Sequence, residues 1–469
     1  MVLKCCKSNK ESVLRQVKSG NIDAITLSST NLVDDIILAM HTNGILDCLN
    51  NGIVDRRNHN TTVPYNVIWA SSIAAKMKVH SSLTDIPFAI TDHRVLAELG
   101  YSLYDSNGNI GNALMNEGSI RFLLGKYDES DMVSGYNNTV QNHIMPKMNI
   151  ESNIHILDCT DLEVNYDNQN YYGAGIGYSK RKVDEKKLPA RGYKLATLRG
   201  IVGDTGIIED IRFGSLDTHD LTLSREMLMT SPVLKSRDII INDRGFISRD
   251  LINYLKLERG IDTYVPLRKN MASFDVAVQA AKIQNSWIQN PKYERQKITL
   301  VTDLGEYWPF EEKISEATNV SINGCVIWYV DTNSYAVIVT TDLSKSAKEI
   351  IDTYCLRPEI EEDYRQLKGF WKLEDFKSTK LNLIAFHIVC VLFGYLFFQL
   401  YTMLPDGKEY ARKSLPVLLK KYQAKVQGYL VIYVNDEFGV FSLFEVLELY
   451  ANASGEAKEI LKKEIIKLG

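Results

Sequence analysis

The sequence predicts an α/β protein with a mixed sheet at its centre. Two short runs place the sheet, and a charged segment places a helix beside it. Ile154-His-Ile-Leu157 and Ile239-Ile-Ile241 are apolar runs of strand type, and they lead into Asp158 and Asp243. Residues 248–258 follow the second run with apolar residues at helical spacing. Far downstream, Tyr354, Arg357, Glu361 and Lys368 fit a Tyr-x2-Arg-x3-Glu-x6-Lys pattern and fall within one narrow arc of an ideal helix. Pro358 interrupts that arc, because an interior proline breaks or kinks a helix. Pro358 is therefore read as the first residue of a helix carrying Glu361, Arg365 and Lys368. Tyr354 and Arg357 then end the helix before it.

The other elements follow in order. Residues 192–200 and 206–213 read as two strands joined by a turn at Gly203-Asp204. Residues 220–234 read as a helix, with Ser231-Pro232 near its end, and 263–267 as a strand. A strand at 335–340 precedes Ser344, read as the N-cap of a helix from Lys345 to Leu356. Residues 269–333 hold strand-like pieces at 297–302 and 324–330, with Trp287, Trp308 and Trp328. Those tryptophans serve either core packing or stacking on a displaced base. Residues 1–145 show helical patterns at 66–78 and 92–99, broken at 81–87. After Lys408 come a basic stretch, a strand at 428–434, a turn at Asn435-Asp436 and a terminal helix. Residues 381–404 are long and apolar enough to span a bilayer. Asn382, His387 and Gln399 interrupt them and no second such segment exists, so a buried core helix is expected, with His387 a core histidine.

Composition narrows the class. The chain has 469 residues, enough for two or three domains, and 45% hydrophobic with 24% charged residues is ordinary for a globular protein. Seven cysteines without Cys-x-x-Cys spacing argue against a zinc site or disulfide framework and for a reducing cytoplasm. The first ten residues lack the apolar core of a signal peptide. The net charge of -4 weighs slightly against a nucleic-acid partner, but local sign matters more than the total. Residues 179–199 carry eight Lys or Arg against two acids. That run is either a solvated loop or a phosphate-contacting surface.

One acid among two cations and a phenol suits a metal-dependent site that cuts phosphate esters. The segment Tyr354 to Lys368 resembles the DDE transposases of bacterial insertion sequences, in the group marked by this Tyr-Arg-Glu-Lys signature. Ile156-Leu-Asp-Cys-Thr-Asp-Leu-Glu-Val164 resembles that family's first-aspartate strand, and Ile239-Ile-Ile-Asn-Asp-Arg-Gly-Phe246 its second. The family usually has an aromatic residue where this chain has Pro358.

The resemblance spans about residues 150–404. It implies an RNase H-like catalytic core with a mostly β insertion at about 269–333. A helical N-terminal region (1–145) would precede it, for DNA-end binding or a structural role, and a small C-terminal α/β tail (405–469) would follow. It further implies that the apolar helix after Glu361 packs against the sheet. Asp158, Asp243 and Glu361 are then the catalytic acids and the ligands of two Mg2+ ions, with Mn2+ as a substitute. Tyr354, Arg357 and Lys368 grip phosphates. Arg244 either joins them or pairs with an acid, and Lys186 and Lys187, from the basic run, are the further candidates for phosphate contact. The implied partners are transposon ends, target DNA and a second copy of the chain, in the bacterial cytoplasm beside the nucleoid and without a membrane. A nuclease lacking strand transfer and a non-catalytic DNA-binding regulator are the alternatives.

Overall fold

The central strand, β1 (Ile154–Val164), is apolar where it begins, and His155, Ile156 and Leu157 are all buried. A strand covered on both faces reads as a continuous rather than an alternating apolar run. The computed structural model describes residues 3–58, 63–105, 113–183, 186–304, 320–411, 413–422 and 428–468. It divides into two units: residues 148–366, and residues 1–147 with 367–469.

In the unit 148–366, β1 is followed by β2 (Gly175–Val183), β3 (Lys186–Val202), β4 (Thr205–Ser215), α1 (Asp220–Thr230), β5 (Ile239–Asn242), α2 (Arg249–Leu257) and β6 (Asp262–Pro266). Strands β4, β3, β1, β5 and β6 lie side by side in that order. β1 runs antiparallel to β3 and parallel to β5, and β5 runs parallel to β6. Gly203, at φ +58°, makes the left-handed turn between β3 and β4. This is a mixed α/β core of the kind that the resemblance implies.

The described residues of 179–199 are strand, not loop. β2 and the start of β3 form an antiparallel ladder, with Lys186 opposite Val183 and Lys187 opposite Lys182. Charged residues suit such an arm because edge strands are commonly protected by charge. The side chains of residues 180–187 lie outside the described set.

The sheet continues beyond β6. Helix α3 (Ala272–Gln284) precedes β7 (Ile288–Gln289), β8 (Gln296–Val301), β9 (Asn323–Tyr329) and β10 (Ser334–Thr340). β10 pairs with β6, and β9, β8 and β7 follow outward, all antiparallel. The stretch expected to be mostly β therefore also holds a 13-residue helix. Phe274, Ala277, Val278 and Ala281 of α3 join Val301, Val326, Val337 and Val339 of the strands in one core. Trp287 and Trp328 are partly buried, with ring centroids 5.5 Å apart, and Trp308 lies outside the described residues.

Two helices close the unit: α4 (Ala347–Tyr354) and α5 (Pro358–Gly369). The N-cap of α4 is Ser346, not Ser344. Ser346 and Glu349 satisfy each other's backbone amides in a capping box, whereas the Ser344 hydroxyl is turned back to Asp342. Pro358 opens α5 as its spacing predicts, where the missing N–H costs nothing.

In the other unit, helix Leu381–Met403 is buried without interruption from Ile384 to Phe398. Its packing partners within this unit include helices Leu32–Thr42, Tyr65–Met77, Glu117–Leu124 and Glu129–Asn138. A helix apolar on every side needs neighbours on every side, and a bundle supplies them. His387 donates from Nε2 to the Lys372 carbonyl at 3.0 Å, and burial pushes its pKa down to about 3. It is a core histidine.

The N-terminal region is not purely helical. Strands Leu3–Ser8, Ala24–Ser29 and Ser102–Asp105 join Gly428–Val434 and Glu437–Phe441 in one five-stranded sheet. Residues 405–469 are thus not a separate tail, because their strands hydrogen-bond to strands from the start of the chain.

Candidate active site

The last rung between β1 and β5 pairs Leu157 with Asn242. Asp158 is the next residue of β1 and Asp243 the first after β5, so the parallel register sets two carboxylates side by side where the ladder ends. Each is fixed by a local amide. Asp158 Oδ1 accepts from Cys159 N at 2.8 Å, and Asp243 Oδ1 accepts from Arg244 N at 2.7 Å as the cap of a short turn. Both Oδ2 atoms face a common partner.

The partner is Arg357, in the turn between α4 and α5. Its Nη2 lies 3.2 Å from Asp158 Oδ2 and 3.8 Å from Asp243 Oδ2, and its Nη1 donates to Glu361 Oε1. Asp158 and Arg357 are each 15% exposed, Asp243 40% and Glu361 56%. Burial opposes the guanidinium's charge, but Asp158 and Asp243 outweigh it and raise its pKa. The buried Arg357 Nε has no hydrogen-bond partner among the described residues. Tyr354, the last residue of α4, is near enough to feel the same charges. Burial, with Asp243, Glu361 and Asp158, raises its phenol pKa, and Arg357 opposes them, so it stays a neutral donor.

Of the residues expected at the site, Asp158, Asp243, Glu361 and Arg357 meet directly. Arg244 is exposed beside them, its backbone engaged by Asp243. Lys368 lies two turns after Glu361 on α5 and forms an ion pair with Glu374 at 2.8 Å. Lys186 and Lys187 lie at the start of β3, with side chains outside the described set. The neighbouring acids are occupied elsewhere. Glu362 binds Arg365 at 2.6 Å and Glu359 binds Arg199 at 2.9 Å.

Sequence reasoning missed the groups that hold α5 in place. Tyr364 donates to the Asp158 carbonyl at 2.8 Å and meets Thr197 Oγ1 at 2.7 Å. Arg199 donates from Nε to Asp363 at 2.6 Å in a buried pair. A signal was present in Leu195-Ala-Thr-Leu-Arg199, where Thr197 and Arg199 share one face of an otherwise apolar run.

Three hard-oxygen carboxylates, one within β1, one just after β5 and one on α5, fit a divalent cation, which prefers oxygen ligands. Among the described residues no three ligating side chains are gathered tightly enough to cage an ion alone. The Arg357 guanidinium stands among the acids and supplies the positive charge their arrangement calls for. No curated protein matches this sequence. A family model, the transposase DDE domain, matches residues 152–397, more than half of the 469-residue chain. The acids Asp158, Asp243 and Glu361 all fall inside that match, and the chain belongs to the DDE transposase family.

Proposed function

We propose that this protein cuts the ends of its own insertion sequence and joins them to target DNA, with Asp158, Asp243 and Glu361 as the catalytic acids. The observation that carries this reading is the convergence of the three carboxylates on one guanidinium. Asp158, Asp243 and Glu361 would hold two Mg2+ ions, with Mn2+ as a substitute. Such ions, when bound, stabilise both the attacking and the leaving oxygen of an in-line phosphodiester displacement.

The chain's own residues supply the rest. Arg357 presents a planar fork suited to bidentate contact with a phosphate once the acids have another cation. Tyr354, held neutral, donates a hydrogen bond to a phosphate oxygen. Lys368 contributes a point charge two turns along α5. Arg244, exposed at the end of β5, and Lys186 and Lys187 on the β2–β3 arm add phosphate contacts that position DNA without reading its sequence. The protein acts as a homodimer on paired ends, in the cytoplasm beside the nucleoid.

The test is a joining assay with a supplied 3′-hydroxyl DNA end and a plasmid target in Mg2+. Joined products from the wild type, absent with Asp158→Asn, Asp243→Asn and Glu361→Gln, support the proposal. Cleavage without joining makes the protein a nuclease. No reaction, with end binding retained, makes it a regulator.

A further inference from the structure

We infer that the buried hydroxyl of Tyr364 is a positioning group that sets the distance between Glu361 and Asp158, and through it the affinity of the site for a divalent cation. This rests on the metal-binding role proposed above for those acids. Glu361 reaches the site from a helix, whereas Asp158 and Asp243 sit on paired strands. The register of β1 and β5 fixes the two aspartates, but no ladder fixes the glutamate. Something must hold α5 to the sheet, at a point close to the acids.

Tyr364 does so. It lies one turn after Glu361 on α5 and is buried. Its hydroxyl has one proton, and the Asp158 carbonyl, 2.8 Å away, can only accept. Thr197 must therefore donate to Tyr364 across their 2.7 Å contact. Thr197 and Asp158 face each other across the β1–β3 rung. One phenol thus bridges a cross-strand pair that includes the first catalytic acid, from the helix that carries the third. Arg199, two residues after Thr197 on the same face of β3, adds a second tie through Asp363. Its Nη1 lies 2.9 Å from Glu359 without the alignment of a hydrogen bond.

Outer partners that orient ligands change metal affinity by about 10- to 100-fold when removed. A buried tyrosine that served only packing would lower stability and leave metal affinity alone. Three variants of the full chain separate these roles, each titrated with Mn2+ alone, without DNA, by loss of the free-ion electron paramagnetic resonance signal. Tyr364→Phe keeps the ring and removes the hydroxyl, and Thr197→Val removes the donor behind it. Val337→Ala, in the core under α3, is the stability control. We expect Tyr364→Phe to raise the Mn2+ half-saturation about tenfold and Thr197→Val to raise it less. Val337→Ala should lower the melting temperature without moving the Mn2+ half-saturation. Tyr364→Phe binding Mn2+ like the wild type, in a protein whose Mn2+ binding does need Asp158, overturns the positioning role alone. Mn2+ binding that is unchanged in Asp158→Asn overturns the metal reading and this inference with it.

Discussion

His155 and Asp158 stand on the same strand, and the charge clusters built around them are opposites. His155 is wholly buried between two acids, with Nδ1 2.8 Å from Glu209 and Nε2 3.2 Å from Asp238. Glu209 also accepts from the Ser152 hydroxyl, and Asp238 from Lys235 N at 2.6 Å. A side chain on Gly200 would strike Glu209 and Ser152, so glycine there leaves room for the cluster. Every charged group in it is paired and dry. Around Asp158, three carboxylates share one guanidinium, and two of them are well exposed to solvent. Negative charge exceeds positive, and water reaches it. A closed, satisfied cluster ties strands together, while an open cluster with surplus acid is arranged to receive a cation or a phosphate group. Burial and satisfaction, not residue type, separate the two.

Asp158→Asn should reduce cleavage at least about a thousandfold, as loss of one member of a catalytic set does. Its melting temperature should be unchanged or raised, because like charges are relieved. Rate and melting curve measured on one preparation decide this, and a parallel loss of both would make Asp158 structural. His155→Gln should do the reverse. It leaves Glu209 and Asp238 buried without their cation, at a cost of about 3–5 kcal/mol in denaturant unfolding.

The same cluster predicts a pH dependence. Burial alone would lower the His155 pKa, but the bonds to Asp238 and Glu209 raise it from 6.5 to about 9. A raised folded-state pKa stabilises fully below the unfolded value. That stabilisation is lost as pH rises from 6.5 through about 9. Wild-type stability should decline across this window, and the His155→Gln variant should lack that component. A variant that keeps the full decline would show that other groups cause it.

A smaller effect sharpens the open side of the comparison. With Arg357 replaced by Ala, Mn2+ should bind the acids more tightly while cleavage falls, since a unit charge 4 Å from a divalent ion is worth about 2 kcal/mol in water-like surroundings. That corresponds to roughly thirtyfold in the Mn2+ titration midpoint. Weaker Mn2+ binding would mean that Arg357 supports the ions and does not compete with them. The smallest effect belongs to Glu362→Gln. Its partner Arg365 is an exposed surface cation, and exposed pairs contribute little, so cleavage should stay near wild type. A loss matching that of Glu361→Gln would shift the assignment of the acid by one residue.

Much of the open site was legible from local pattern. Asp158 and Asp243 end runs whose strand character is written in a few residues, and Pro358 marks where the helix of Glu361 begins. The groups that fasten that helix were not legible, because they depend on how β3 registers with β1 and where α5 lies on both. His155 looked like one polar letter in an apolar run, and its partners come from β4 and the approach to β5. The five-stranded sheet was hidden for the same reason. Lys7 pairs with Glu437, a contact that no local periodicity can announce. The apolar helix Leu381–Met403 was readable as buried, but its neighbours were not.

The most direct test of the catalytic assignment is anomalous scattering from crystals soaked in Mn2+. Ions coordinated by carboxylate oxygens of Asp158, Asp243 and Glu361 are expected, at the ~2.0–2.2 Å typical of a small hard cation, with the Arg357 guanidinium displaced from among them. Mn2+ bound elsewhere, with Arg357 still joined to all three acids, would contradict the assignment.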